Sequence, residues 1–200
     1  GYEADDVLGS IAKIANEQGV GVKIITGDRD LLQLVNERTA VYLAGDNKTY
    51  VTDGDVVNSK LGVFPEQVID YKAIVGDKSD NIPGVPGVGE KTAHRYLEKY
   101  GTLDEIYAHL DEVEKRWRTK LEAGKDSAYM SKELATIRTD LSIKLDLEHA
   151  RTDQFDPAAL SALFQELEFR TLTKKVTELT GQSTPDAPAG QMSMFGEQAL

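Results

Sequence analysis

The chain has 200 residues, 40% of them hydrophobic and 28% charged, a globular balance that suffices for one ordinary domain or two small ones. It contains no uninterrupted apolar run of the ~18 residues that a membrane span needs, and its lack of cysteine excludes disulfides, thiolate zinc sites and thiol nucleophiles, which favours a cytoplasmic setting and leaves oxygen or three scattered histidines to hold any metal. A surplus of 34 acidic over 23 basic residues gives a net charge of −11, which on average repels nucleic acid and anionic membranes, so a nucleic-acid role requires the acids to be segregated from a basic face.

The sequence opens on Gly1-Tyr2-Glu3-Ala4-Asp5-Asp6 without an initiator Met and reads as a segment of a longer protein. Ala4, Val7, Leu8, Ile11, Ala12, Ile14 and Ala15 recur at three- and four-residue spacing and predict an amphipathic helix over 4–18, stopped by Gly19. Residues 20–26 form a short, β-branched, mostly apolar run, expected as a strand buried on both faces between helices. A second strand is expected at 40–44, a turn at 45–48 and a partner strand at 49–52. Pro65 suits a first helical position, and Val68, Ile69, Tyr71, Ala73, Ile74 and Val75 form a broad apolar stripe closed by Gly76. Beyond Pro86 the character becomes helical, with helices predicted over 90–100, 103–110, 129–139 and 157–179 and a basic stretch over 115–125. From Thr180 onward Gly, Gln, Ser, Pro and Ala dominate, as in a flexible linker. The expected organisation is an α/β core over 1–82, a helical subdomain over 83–179 and a tail over 180–200.

Seven carboxylates fall in three clusters, each at the end of an element: Glu3, Asp5 and Asp6; Asp28 and Asp30; Asp77 and Asp80. In an open α/β sheet the carboxyl ends of strands face the ligand crevice, so Thr26-Gly27-Asp28-Arg29-Asp30 directs two carboxylates there. Taken singly, each cluster is also explained by helix-dipole complementation and turn capping, effects of about 0.3 to 1 kcal/mol. Taken together they imply more. Two carboxylates about 5 Å apart repel by roughly 3 kcal/mol at an effective dielectric of about 20, so convergence requires a cation. All-oxygen ligation suits Mg²⁺ or Mn²⁺, and several carboxylates can hold two such ions for in-line phosphoryl transfer. Phosphodiester hydrolysis is the chemistry these residues suggest, with Asp5, Asp6, Asp28, Asp30, Asp77 and Asp80 as candidate catalytic groups.

Residues 81–92 form a tight Gly/Pro hairpin opening into a helix. Gly84, Gly87 and Gly89 permit positive φ and close backbone approach, Val85 and Val88 are expected to pack inward, and the helix start offers unpaired amides to a phosphate. Lys91 and Arg95 share a helix face beside it, and Thr92 completes the candidate DNA-contacting set. The segment nearly matches the phosphate loop of nucleotide hydrolases, but Glu90 intrudes before Lys91 and no buried strand leads into it, which argues against ATP or GTP. A ligand-free helix–helix turn is the plain alternative. Lys115, Arg116, Arg118, Lys120 and Lys125 make the densest positive patch, either a second backbone-tracking surface or a solvated helix face, with Trp117 a core residue. His94, His109 and His149 have no metal spacing.

These residues resemble, in content and order, the 5′-nuclease domain of bacterial DNA polymerases I, relatives of flap endonucleases. The motifs are Glu3-Ala4-Asp5-Asp6, Thr26-Gly27-Asp28-Arg29-Asp30, Gly76-Asp77-Lys78-Ser79-Asp80-Asn81 and Gly84-Val85-Pro86-Gly87-Val88-Gly89, and the similarity runs from Gly1 to about Leu179. The resemblance implies a partial Rossmann-like (PIN-like) core, a helix-3-turn-helix subdomain gripping duplex DNA, and two divalent cations held by Glu3, Asp5, Asp6, Asp28, Asp30, Asp77 and Asp80 directly or through water. It further implies a monovalent ion such as K⁺ at the hairpin and removal of RNA primers and 5′ flaps in replication and repair by a monomer on nucleoid DNA. The family's first strand and two further aspartates precede the segment that matches Gly1, so little cleavage is expected from these 200 residues alone. In the tail, Gln191-Met192-Ser193-Met194-Phe195 is similar to peptides that dock on the sliding clamp, with Gln191, Met192, Met194 and Phe195 as the candidate contacts. The alternative from another class is a noncatalytic helix-hairpin-helix-type duplex-binding module, which divalent-ion binding distinguishes from a nuclease.

Overall fold

The computed structural model describes residues 1–45, 49–51, 53–152 and 155–181. The chain divides into two compact units, Gly1–Leu145 and Asp146–Leu200. Both the candidate clamp peptide and most of the turn expected at 45–48 lie outside the described residues.

In the first unit, α1 (Ala4–Glu17) buries Ala12 and Ala15 and is followed by β1 (Val22–Thr26), a short 3-10 turn (Asp30–Leu34), β2 (Thr39–Leu43) and β3 (Thr49–Val51). The sheet order is β1-β2-β3, with β1 and β2 parallel and β2 and β3 antiparallel. Ile24 opposite Val41 and Val41 opposite Val51 put three buried residues in one row of the core. The expectation that β1 is buried on both faces is corrected: Ile25 is 71% exposed and Lys23 is exposed, so only the face that carries Ile24 is packed into the core.

Next come α2 (Gly54–Leu61), a turn of 3-10 helix begun by Pro65, and α3 (Val68–Val75). No apolar periodicity predicts α2. Its single buried residue, Val57, draws no stripe, and the legible signals were its ends: the Asp53 carboxylate accepts from the Val56 amide at 2.9 Å and Gly62 closes the helix at φ +73. The central helix is α3, which packs on α7, α4 and α5 and buries two polar residues, Asp70 and Lys72, among its apolar ones.

The helical part comprises α4 (Glu90–Tyr100), α5 (Leu103–Ala108), α6 (Lys115–Ala123) and α7 (Lys125–Ala135). One hydrophobic cluster runs from Ile24 and Val41 through Ile74 and Leu97 to Leu121 and Ala128, so sheet and helices of this unit share a core. The helix predicted over 129–139 begins and ends earlier. Residues 136–139 are extended because they dock elsewhere: the Gln33 carboxamide accepts from Ile137 N and donates to Ala135 O, both at 3.0 Å, and the Ser10 hydroxyl of α1 donates to Arg138 O and accepts from Leu141 N. A Cβ on Gly9 would come within 2.8 Å of Ile137, which is why α1 carries a glycine there.

Asp70, 4% exposed, accepts from the Leu103 amide at 3.0 Å and pairs with Lys132 Nζ at 2.9 Å, tying α3 to α5 and α7. Lys132 also reaches Asp104, so Asp70→Asn leaves that lysine one partner. The variant is expected to lose about 1.5 kcal/mol, read as a lower urea midpoint with an unchanged slope.

In the second unit α8 (Pro157–Glu166) and α9 (Arg170–Thr180) replace the single helix predicted over 157–179. The break lies at Glu168, which adopts φ +56, and it is closed by Phe169 N donating to Phe164 O at 2.8 Å with the two phenyl rings 6.1 Å apart. Among the described residues no helix is long and apolar enough to cross a membrane.

Candidate metal and nucleic-acid site

The carboxyl end of β1 and the C-terminus of α3 converge on a cleft of about 810 Å³ lined by Asp28, Asp30, Lys72, Asp77, Asp80 and Glu90. Local turns aim these acids. The Asp28 amide donates to Thr26 Oγ1 at 3.0 Å and the Asp28 carboxylate accepts from the Asp30 amide at 2.8 Å, which starts the 3-10 turn and leaves Asp30 facing α3. Leu31 and Leu32, fully buried, anchor that turn in the core. On the other side Gly76 turns the chain out of α3 at φ +77, and Asp77 and Ile82 exchange backbone hydrogen bonds of 2.9 and 2.8 Å, closing a loop that presents Asp77 and Asp80.

Asp30, Asp77 and Asp80 each place a carboxylate oxygen within 4.8 Å of the other two, the one such acidic triplet among the described residues. Lys72 sits among them: its ammonium bonds Asp30 and, at 2.8 Å, Asp77. The hydrogen bond from Lys72, helped by the Ser79 hydroxyl and amide, holds the Asp77 carboxyl down at about 2. Asp30 responds in the opposite direction, because its burial and the neighbouring Asp28 and Asp77 charges outweigh the same lysine and push its pKa up. Burial pulls Lys72 down, but Asp30 and Asp77 more than reverse this, so the ammonium stays charged.

The third cluster lies in an adjoining cleft of about 570 Å³, lined by Glu3, Asp5, Asp6 and Glu133 and sharing Asp30 with the first. Asp5 is partly buried, and desolvation followed by the charges of Asp28, Glu3, Asp6 and Asp80 raises its pKa. Asp6 has structural work as well: its carboxylate accepts from Glu3 N at 3.1 Å and Arg138 N at 2.9 Å, capping α1 and tying it to the extended segment after α7. All three clusters therefore border one acidic region, while only Asp30, Asp77 and Asp80 form a tight triplet. Sequence reasoning missed Lys72, which with Asp70 interrupts the apolar stripe of α3 and is followed five residues later by Asp77.

The hairpin continues directly from this loop. Gly84 at φ +62 lies against the end of α3, and α7 grips it from the other side, with Ser131 Oγ accepting from Gly84 N at 3.0 Å and Ser127 Oγ donating to Gly84 O at 2.7 Å. Val85 and Val88 are buried as expected. Gly87 takes φ +75, whereas Gly89 is extended and serves as the N-cap of α4 without needing a positive φ. The amides of Gly84, Val85 and Val88 are used within the protein, and those of Gly89, Glu90 and Lys91 donate to no acceptor among the described residues. Lys91 is exposed and Thr92 half-buried, while Arg95 pairs with Glu114 at 2.5 Å and lies over the Tyr96 ring. His94 is structural, bonding Leu61 O at 2.8 Å and stacking on Tyr71.

The 5′-3′ exonuclease N-terminal resolvase-like domain matches residues 1–62, and the 5′-3′ exonuclease C-terminal SAM fold matches residues 63–158. Over 182 residues the chain is 46% identical to a DNA polymerase I of Caldicellulosiruptor bescii, an alignment covering 88% of this chain and 21% of the polymerase. A 5′-3′ exonuclease of Mycoplasma pneumoniae is 39% identical over 183 residues, with 90% of this chain and 62% of the relative covered. The chain thus spans about a fifth of the polymerase and under two thirds of the exonuclease. Among solved structures, the bacteriophage T5 flap endonuclease, in a pseudo-enzyme-product complex with DNA and metal ions, shares the fold at a TM-score of 0.61 and 23% identity, covering 91% of this chain and 61% of that one.

Proposed function

The chain belongs to the 5′-3′ exonuclease family, with a PIN-like nuclease core followed by a helical SAM-like subdomain, and on that premise we propose that it binds two divalent cations, Mg²⁺ or Mn²⁺, and hydrolyses phosphodiesters at 5′ flaps or RNA-primer ends of duplex DNA. The observation that carries this reading is the triplet of Asp30, Asp77 and Asp80, whose oxygens meet within 4.8 Å from segments far apart in sequence. The donor set is all oxygen and fits hard divalent cations. Asp30, Asp77 and Asp80 would hold one ion, with Asp28 and Asp5 reaching the second directly or through water and Glu3 and Asp6 bordering it. The chemistry supplied there is Lewis-acid activation and neutralisation of charge on the scissile phosphate.

The protein's own residues prepare that chemistry. Lys72 fixes the Asp30 and Asp77 carboxylates in one orientation, and Ser79 fixes Asp77 from the opposite side. The Asp77–Ile82 bridge couples the acidic loop to the hairpin, and the amides of Gly89, Glu90 and Lys91 at the α4 N-terminus would hold the duplex backbone near the acids. Lys91 adds a charge at that end, and Thr92 a hydroxyl.

Titration calorimetry with Mn²⁺ tests the reading. Asp77→Asn and Asp80→Asn are each expected to weaken binding about tenfold or more, equivalent to about 1.4 kcal/mol. Wild-type affinity in both variants would remove its basis. A second reading, a noncatalytic duplex-binding module, draws on Lys72, which already supplies a cation to Asp30 and Asp77. Steeply salt-dependent binding of a 5′-flap duplex without any Mn²⁺ uptake would favour that module.

A further inference from the structure

The hairpin has a charge problem that its amides do not solve. A turn that offers N–H groups to a phosphate also carries carbonyls, and a carbonyl beside a phosphate repels it unless a positive group lies against it. The Gly87 carbonyl lies two residues before the Gly89 cap at which the duplex backbone is proposed to sit, and it already has a partner from another helix: Lys120 of α6 donates to Gly87 O at 2.6 Å. The contact is built in from both sides. Gly87 adopts φ +75, a conformation that favours glycine, and a Cβ there would fall 2.8 Å from Lys120 Nζ. The lysine is steered by the Trp117 ring, whose centroid lies 5.0 Å from the same Nζ. Gly124, at the end of α6, approaches Val85 and Pro86 so closely that a Cβ would lie 2.8 Å from Val85, seating α6 against the hairpin.

We propose that Lys120 is the hairpin's resident cation, a positioning residue whose tethered ammonium neutralises the Gly87 carbonyl so that the duplex backbone is gripped without a bound monovalent ion. This rests on the duplex-binding reading and adds to it that the hairpin is indifferent to K⁺. The side chain does the work of a mobile ion without the entropy of capturing one.

The test measures duplex binding by the full chain in KCl and in tetramethylammonium chloride of equal ionic strength, since carbonyls cannot ligate the bulky cation. Wild type is expected to bind equally in both salts, within about twofold. Lys120→Met keeps the aliphatic stem over Trp117 and is expected to bind about tenfold more weakly in tetramethylammonium, with a good part recovered in K⁺. Lys120→Arg is expected to bind in both salts as wild type does. In parallel, melting of the DNA-free proteins is expected to show K⁺-specific stabilisation in Lys120→Met only, a readout independent of DNA binding. Wild-type binding that itself requires K⁺ would overturn the proposal. So would equal weakening of Lys120→Met in both salts, which would make Lys120 a direct phosphate contact, or a K⁺-dependent melt in wild type. Loss of duplex binding by wild type in every salt would sink the underlying function, while the melts would still decide where the cation sits.

Discussion

Gly84→Ala is expected to cost about 4 kcal/mol of stability in urea and to disorder the acidic loop and the hairpin together. The sum has two sources. A non-glycine residue at φ +62 costs about 1 to 2 kcal/mol, and forcing extra volume into a close-packed contact costs about 1 to 3 more. The upper part of that range applies because the colliding atoms are backbone: a Cβ on Gly84 would sit 2.4 Å from Gly76 N, 2.6 Å from Val75 C and 2.7 Å from Ile74 O. No rotamer change relieves such contacts, so the end of α3 or the hairpin must move. Either movement strains the Val85 N to Ile74 O bond of 2.8 Å and the Asp77–Ile82 bridge that orients the acids. Gly89→Ala is the matched control, with extended backbone and nothing within 4 Å of a new Cβ, and is expected to change stability by under about 1 kcal/mol. Equal urea midpoints for the two variants would show that the close approach at Gly84 is not what holds the hairpin.

That contrast also marks how far the sequence was legible. The glycine spacing announced a tight loop, and α4 begins and ends where predicted because Gly89 and Gly101 bracket it. Which glycine was indispensable depended on what lies opposite each one, and for Gly84 that is the end of α3 and two serines of α7 more than forty residues away. Local pattern likewise gave β2 and the stripe of α3, but not the exposure of Ile25, which depends on which neighbours β1 has. The split of α8 from α9 escaped because a glutamate, Glu168, takes the left-handed conformation that sequence reading reserves for glycine. At the site, the acids were recognisable by their clustering at element ends. Lys72 was not, since a lysine in a helical stripe reads as a snorkelling surface residue until its two carboxylate partners are seen.

Lys72→Met is the more informative substitution at the acidic cleft. Methionine keeps the unbranched stem and its packing, so the variant removes chiefly the charge. The Lys72 side chain is only 11% exposed, and Asp30 and Asp77 are little more open, so removing the ammonium leaves two poorly hydrated carboxylates facing Asp80. Breaking a buried pair from one side costs about 3 to 5 kcal/mol, and the partial exposure of the acids places this one near 3. In chelator the variant is therefore expected to lose about 3 kcal/mol relative to wild type. Added Mn²⁺ should change the comparison. In wild type an incoming ion competes with Lys72 for Asp30 and Asp77, whereas in the variant those oxygens are available and their repulsion is relieved by binding. Because wild type also gains stability from the ion, the gap narrows by RT ln of the ratio of the two Kd values, so a variant that binds about a hundredfold more tightly than wild type recovers about 2.7 kcal/mol of it. Urea melts of both proteins in chelator and in Mn²⁺ measure the two differences. A variant as unstable in Mn²⁺ as in chelator would mean that Lys72 is a structural counter-charge alone and that the triplet does not receive a divalent ion. A gap that closes on adding the ion would identify the lysine as the protein's own placeholder for it.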